Sequence, residues 1–416
     1  MPTLQSPHLL SFTLDGSDVL GGPVSIDLRD RVAVLVGRNG AGKSAILEGF
    51  ESIKSWAFDR FRSQIFDTDI ESIPNILEIE VLTPHNRRLQ YRYELVSLSA
   101  DLGDPQELED DSSIDGIENV EESRLSWNDC CQYLDQAQEV LWQTDVGLTT
   151  FPKSSGEQAV SILGRTGLLR QQGRLGSGNY QLSMPEELEW IYSVLSRVRL
   201  LGKTPIRLNP YRNKFFLQVS NDRPRPSPSL YRRLYILVRK IFSLDKDTLH
   251  ELKTVCQRIG IGSQIIVQKF FPGNSAQSNS ETEAKEHLVS VLLDGVNIGL
   301  LSDGTLRILD LLLELITSRP GTTTIIEEPE TQIHPGLLEK LLNEIEAYTA
   351  DENLILSTHS PQVVSWTQPD KINLVYRQND RTYIRKLQEP EIQSVVNYLC
   401  EEGDLGNWLY SGILDD

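Results

Sequence analysis

The run Val32-Ala33-Val34-Leu35-Val36-Gly37-Arg38-Asn39-Gly40-Ala41-Gly42-Lys43-Ser44-Ala45-Ile46-Leu47 decides how this chain is read. Val32 to Val36 is short, apolar and rich in β-branched residues, which predicts a buried strand. Gly37 to Ser44 then fits G-x-x-x-x-G-K-[ST] without a mismatch, and Ala45-Ile46-Leu47-Glu48-Gly49-Phe50 opens a helix behind it. Glycines let successive backbone N–H groups turn inward around a phosphate, where side chains would block the approach. The helix that starts near Lys43 points its positive end at the same anion. Lys43 supplies a point charge for the β- and γ-phosphates of ATP, and the Ser44 hydroxyl is a ligand for Mg²⁺. Gly37, Arg38, Asn39, Gly40, Ala41, Gly42, Lys43 and Ser44 are therefore the expected nucleotide-binding residues.

Outward from this loop, Leu9 to Glu48 reads as a strand pair feeding it. Asn75 to Ser97 alternates in the manner of strands (Leu77, Ile79, Val81, then Leu89, Tyr91, Tyr93, Leu95), with Thr83-Pro84-His85-Asn86 as the turn. An antiparallel β-layer beside the nucleotide core is the expectation. From Leu98 to Lys285 the pattern loosens. This stretch holds a Gly/Ser-rich segment at Gly173 to Asn179, a helical pattern from Pro185 to Val198 and a Pro/Ser break from Arg223 to Ser229. No heptads are sustained there, which argues against a long coiled-coil arm.

The 416 residues suffice for two or three domains with their own cores, and 39% hydrophobic with 24% charged residues is ordinary for a globular chain. No apolar run reaches the length of a membrane span, and the start Met1-Pro2-Thr3-Leu4-Gln5 lacks a signal-peptide pattern, so a cytoplasmic protein without membrane contact is expected. Cys130, Cys131, Cys256 and Cys400 show no C-x-x-C spacing, which suggests neither zinc nor a disulfide framework. The net charge of −19 argues against general affinity for nucleic acid, yet it is unevenly spread. Asp101 to Glu122 carries ten acids and no base, as a solvated loop would. Arg197 to Lys240 carries twelve bases against the single acid Asp222, with Tyr211, Phe215, Phe216, Tyr231 and Tyr235 interleaved. That segment could follow a phosphate backbone, bind an acidic protein or pair with the chain's own acidic loop at Asp101 to Glu122.

From His287 the apolar pattern is dense again. Val296 to Leu301 precedes Ser302-Asp303-Gly304-Thr305, and Leu306 to Ile316 makes a largely buried helix. Two strand-like segments, Thr322 to Ile326 and Asn353 to Ser357, flank a helix from Gly336 to Tyr348, the alternation of a parallel α/β core. The first strand runs into Glu327-Glu328-Pro329-Glu330. A P-loop ATPase needs one carboxylate near Mg²⁺ and another to align the attacking water, which assigns Glu327 to the metal and Glu328 to the water. The second strand ends in Ser357-Thr358-His359-Ser360-Pro361, where His359 can hydrogen-bond the γ-phosphate and hold the catalytic acid.

With these four motifs in order, the chain resembles the ABC-type ATPases of the RecF/SMC and OLD (overcoming lysogenization defect) group. The resemblance rests on GRNGAGKS at Gly37 to Ser44, LSDGT at Leu301 to Thr305, IIEEPETQIHP at Ile325 to Pro335 and STHSP at Ser357 to Pro361. It implies an α/β fold: an ABC-type P-loop NTPase head with an antiparallel β-layer and a mixed inserted middle. The head would be split between residues 1–97 and 287–416, with residues 98–286 inserted. It also implies that Ser302 and Gly304 bind the γ-phosphate held by an opposite copy, giving an ATP-dependent homodimer or higher oligomer. The segment Glu330 to His334 corresponds to the family's dimer-contacting D-loop, and Gly403 to Tyr410 looks like the tail of defence-associated members.

Two departures stand out. The family's Q-loop glutamine has only Gln64 and Gln90 as candidates. OLD-type nucleases carry a Toprim domain after the switch histidine, and the residues beyond His359 are too few for one, so no nuclease activity is expected in this chain. The implied role is an ATPase that senses or regulates for a separate effector, a nuclease among the candidates, in bacterial antiphage defence. A RecF-like repair ATPase that binds DNA through Arg197 to Lys240 is the alternative. A transporter subunit is disfavoured because its P-loop and signature lie much closer in sequence.

Overall fold

A computed structural model describes residues 6–57, 73–97, 125–135, 139–145, 148–151, 158–160, 185–202, 214–220, 223–224, 232–271, 287–388 and 390–391. The acidic stretch 101–122, Gln64, the Gly/Ser-rich segment 173–179, Cys400 and the tail 403–410 lie outside them. The described part has the expected mixed α/β class with antiparallel sheets, and it divides into two compact units.

The first unit comprises residues 1–198 and 373–386. Its antiparallel sheet contains β1 (His8–Asp15), β2 (Val24–Asp27), β4 (Ile76–Leu82), β5 (Arg88–Ser97), β6 (Leu125–Tyr133), β7 (Val140–Asp145), β8 (Leu148–Phe151) and β9 (Gln158–Val160), in the order β2-β1-β4-β5-β6-β7-β8-β9. Period-2 alternation gives this sheet one core face: Leu77, Ile79 and Val81 of β4 and Leu89, Tyr91 and Tyr93 of β5 are all buried. The expected turn joins these two strands. The Thr83 N–H donates to Arg87 O at 2.9 Å, and Asn86 takes φ +60°, a left-handed value that Asn tolerates. On the other face Glu78, Gln90 and Gln132 form a side-chain ladder across three strands, with hydrogen bonds of 2.6 and 2.7 Å. Both ends of the Gln90 amide are thereby engaged.

Helix α1 (Lys43–Ala57) buries Ile46, Leu47, Phe50, Ile53 and Ala57 on one face. Its Phe50 stacks on Phe12 of β1 with ring centroids 4.1 Å apart. The helix follows β3 (Val32–Val36), whose neighbour is β18 (Ile372–Gln378), with β19 (Arg381–Lys386) beyond. β18 and β19 form a hairpin closed by Asn379 and Asp380 at φ +49° and +60°, the two-residue turn that matches strand twist. A short helix α2 (Glu186–Ser196) completes the unit and buries Leu188, Ile191, Val194 and Leu195.

The second unit comprises residues 199–372 and 387–416. Here β10 (Val198–Leu201), β16 (Thr323–Glu327) and β17 (Asn353–Thr358) lie in that order. β16 and β17 are parallel, with Thr323 opposite Asn353 and Glu327 opposite Ser357. Every residue of β17 is buried, as expected of a parallel strand covered on both faces. Helices α5 (Asp303–Ile316) and α6 (Pro335–Thr349) bury leucine-rich faces, and α7 (Pro361–Trp366) follows β17. A second antiparallel sheet holds β11 (Leu217–Ser220), β12 (Arg223–Pro224), β13 (Ile265–Phe270), β14 (His287–Leu293) and β15 (Val296–Asn297). Helices α3 (Arg232–Ser243) and α4 (Lys246–Ile259) accompany it, α4 being capped by Asp245, which accepts from the N–H groups of Asp247 and Thr248.

Three bases of the Arg197 to Lys240 segment are spent inside this unit. Arg199 lies 3.2 Å from a carboxylate oxygen of Glu314, Lys240 pairs with the same carboxylate, and Arg233 lies 2.9 Å from Asp310. Both acids sit on α5. Their partners lie on α5; the acidic loop, the internal partner expected from the sequence, is outside the described residues.

Candidate active site

In the first unit, β3 delivers the chain into the glycine loop and α1 begins at Lys43. Gly40 and Gly42 take φ +82° and +104°, the left-handed region that glycine enters without a Cβ penalty. The loop is also seated tightly. A Cβ on Gly37 would come 2.2 Å from Val375 O, and one on Gly42 would come 2.5 Å from the Thr382 hydroxyl. Arg38, Asn39, Gly40 and Ser44 are exposed, whereas Ala41 is buried and donates its N–H to Arg38 O at 3.2 Å. Lys43 is only 6% exposed, and its ammonium donates to Gly37 O at 2.7 Å and Arg38 O at 3.2 Å. The cation is thus folded back over its own loop, where an anion held by the loop amides would meet it.

In the second unit, the carboxyl ends of β16 and β17 bring the remaining acids and the histidine together. Glu327 is the last residue of β16, and Glu328 follows at φ +44° with its N–H donating to Ser357 O at 2.9 Å. A left-handed glutamate is uncommon and persists only where neighbours hold it. Arg307, on α5, does so: it donates to Glu327 O and Glu328 O, each at 2.8 Å, and to Gly202 O at 3.0 Å. Burial draws the Arg307 guanidinium below its usual value, opposed by the negative charges of Glu330, Glu328 and Glu327.

The Glu328 carboxylate lies 3.2 Å from His359 Nδ1 through Oε1 and accepts from the Thr331 hydroxyl at 3.1 Å through Oε2. Glu330 joins the same group, with Oε1 3.5 Å from His359 Nδ1. Ser302 caps α5: its Oγ accepts from the Thr305 N–H at 3.1 Å. Gly304 is packed so closely that a Cβ would lie 2.2 Å from Gln332 O, which joins the start of α5 to the acidic turn.

Of the residues expected from spacing, Glu328 and His359 meet directly, Glu327 precedes Glu328 in the chain, and Ser302 and Gly304 sit at the start of the helix that carries Arg307. Sequence reasoning passed over Arg307, and it placed Glu330 only in the expected dimer-contacting segment. A signal existed for the first, since Arg307 is a lone cation in the apolar run Leu306 to Leu313. No group of three or more acids, histidines or cysteines able to hold a metal occurs among the described residues. No helix there is long and apolar enough to cross a membrane.

A glycine loop with a buried lysine thus lies in one unit, and a carboxylate–imidazole pair at parallel strand ends lies in the other. The family model described as "AAA domain, putative AbiEii toxin, Type IV TA system" matches residues 183–365, which supports an ATPase of the AAA/ABC type. No curated protein matches the chain. Solved structures similar to it include an SMC head bound to the C-winged helix domain of ScpA. That likeness has 10% identity and a TM-score of 0.41, covering 92% of this chain and 99% of that one. The SMC head domain from Thermotoga maritima shows 14% identity and a TM-score of 0.36 over 92% and 99%. The Smc head with an extended coiled coil from Pyrococcus furiosus, bound to the C-terminal domain of ScpA, shows 12% identity and a TM-score of 0.40 over 95% and 100%.

Proposed function

We propose that this chain binds ATP with Mg²⁺ and hydrolyses it to ADP and phosphate, and that ATP closes two copies head to head to control a separate effector protein. The observation that carries the reading is the 3.2 Å contact of Glu328 with His359 Nδ1 at the ends of parallel strands. A carboxylate held by an imidazole at such a place can take the proton of a water attacking phosphorus as the bond to the leaving ADP oxygen breaks. The glycine loop and Lys43 would take the phosphates, and Lys43 already turns to that loop. Ser44, with an exposed hydroxyl, and Glu327, with a half-buried carboxylate, would hold Mg²⁺, which would offset charge on the phosphates.

Closure between copies would use Ser302 and Gly304, whose helix presents an exposed N-terminus fit for a γ-phosphate oxygen. The engagement of Arg199, Arg233 and Lys240 by α5 favours a protein trigger over a nucleic acid. The matched family's description names a toxin of a type IV toxin–antitoxin system, which supports a paired system with a separate partner, as in antiphage defence.

Steady-state hydrolysis, nucleotide binding and sedimentation of wild type, Lys43→Ala, Glu328→Gln and Ser302→Arg test this. Lys43→Ala should lose nucleotide binding. Glu328→Gln should bind ATP, hydrolyse it ~100-fold more slowly and accumulate as a dimer, and Ser302→Arg should stay monomeric. Normal turnover by Glu328→Gln would refute the catalytic assignment. Stimulation by duplex DNA, lost in Ser302→Arg, would favour the repair reading instead.

A further inference from the structure

Glu330 has no part in the chemistry above, yet it is the most enclosed carboxylate of the cluster. Its side chain is 10% exposed, against 33% for Glu328. Oε1 accepts from the Thr358 hydroxyl at 2.7 Å and from the His359 N–H at 3.1 Å, and Thr358 Oγ1 in turn accepts from the Ser360 N–H at 2.9 Å. Oε2 is buried and makes no hydrogen bond among the described residues. Enclosing a carboxylate is costly, and a glutamine could accept the same two bonds without that cost. The charge must therefore act on its neighbours: it offsets the buried Arg307 guanidinium, and it also lies 3.5 Å from His359 Nδ1.

Glu328, meanwhile, is engaged at both oxygens: Oε1 faces the imidazole and Oε2 accepts from Thr331. To aim Oε1 at a water it would turn away from the imidazole. Nδ1 carries a single N–H, so if Glu328 turns away the imidazole needs another acceptor to keep its tautomer and its orientation.

We propose that Glu330 is a positioning residue that takes over the Nδ1 proton of His359 as a hydrogen bond when Glu328 turns to its water. The switch needs a displacement of only a few tenths of an ångström, because Glu330 is already pinned to the end of β17 through Thr358 and the His359 backbone. Nδ1 stays the protonated nitrogen throughout, and Nε2 is left for a ligand. The catalytic timing rests on the hydrolytic reading of Glu328; the placement of the Nδ1 proton does not.

The test uses full-length protein with ¹⁵N-labelled histidine, assigning His359 by its loss in His359→Gln and reading its tautomer by long-range NMR couplings. Wild type should show the Nδ1–H form. Glu328→Ala, which removes that acceptor, should retain it, and Glu328→Ala combined with Glu330→Ala should shift to a mixture of tautomers. Loss of the Nδ1–H form in Glu328→Ala alone overturns the proposal, and because that variant leaves Glu330 in place, this outcome does not depend on the double variant folding. In hydrolysis assays Glu330→Gln should lower kcat about tenfold or more with KM and ATP affinity within twofold. An unchanged kcat overturns the handover. Retention of Nδ1–H in Glu328→Ala, beside a wild type that hydrolyses no ATP, would sink the ATPase reading while leaving the proton placement standing.

Discussion

Replacing Asp129 by Asn should make the first unit more stable, and only above acidic pH. Asp129 lies on β6, 3% exposed, with Oδ2 accepting from the Tyr91 hydroxyl at 3.1 Å. Burial pushes its carboxyl from the ordinary 3.8 up to about 6, although hydrogen bonds from Thr144 and Tyr91 draw it back. Ionising it in the fold rather than in the unfolded chain therefore costs about 3 kcal/mol, at about 1.4 kcal/mol per pH unit between the two values. The sign follows from proton uptake. Between those values the folded state holds the proton and the unfolded state does not, so stability is highest below about 4 and falls as pH rises through about 6.

An asparagine keeps the shape and removes the titration. Its advantage over wild type should be greater by about 1.5 kcal/mol at pH 7.5 than at pH 5, where half of the cost has already been relieved. Urea unfolding followed by circular dichroism at both pH values gives this double difference, in which pH-independent effects of the substitution cancel. A variant whose stability relative to wild type is the same at both pH values, or better at pH 5, would refute the reasoning.

Two more substitutions probe how the acidic turn is held. Arg307→Lys keeps a charge but gathers on one nitrogen the donors that the guanidinium spreads over two, and should cost about 2–4 kcal/mol in urea unfolding; a loss under about 0.5 kcal/mol would show that the three bonds do not matter. Gly304→Ala places a Cβ against Gln332 O and should destabilise by about 1–3 kcal/mol despite the better helix propensity of alanine, so a gain in thermal stability would contradict the close packing seen there.

Much of this was legible in the residues because it is local. Val32 to Val36 with the glycines behind it specifies strand, loop and helix by apolar pattern and backbone freedom alone. The turn at Thr83 to Asn86 and the parallel strands before Glu328 and His359 follow from the same short-range rules. What escaped is non-local. Nothing near Glu330 in sequence announces that Thr358 will bond to it, because that hydrogen bond joins two strand ends brought side by side only by the parallel pairing. The basic segment misled in another way. Counting its cations could not reveal that Asp310 and Glu314, on a helix many residues later, would claim three of them. Arg307 likewise reads as an interruption of an apolar helix until the carbonyls it serves are in view.

The seat of the glycine loop has a consequence for how the protein is made. Gly37 and Gly42 rest against Val375 and Thr382, so the loop is synthesised early while the surface that shapes it leaves the ribosome roughly 340 residues later. The sheet that follows the loop in sequence can pair as it emerges. The loop itself must wait, without its floor, until the β18–β19 hairpin arrives. Nucleotide affinity would then be a late acquisition on the ribosome, and a chain stalled anywhere before Asn373 would carry every residue of the motif without the bed that shapes it.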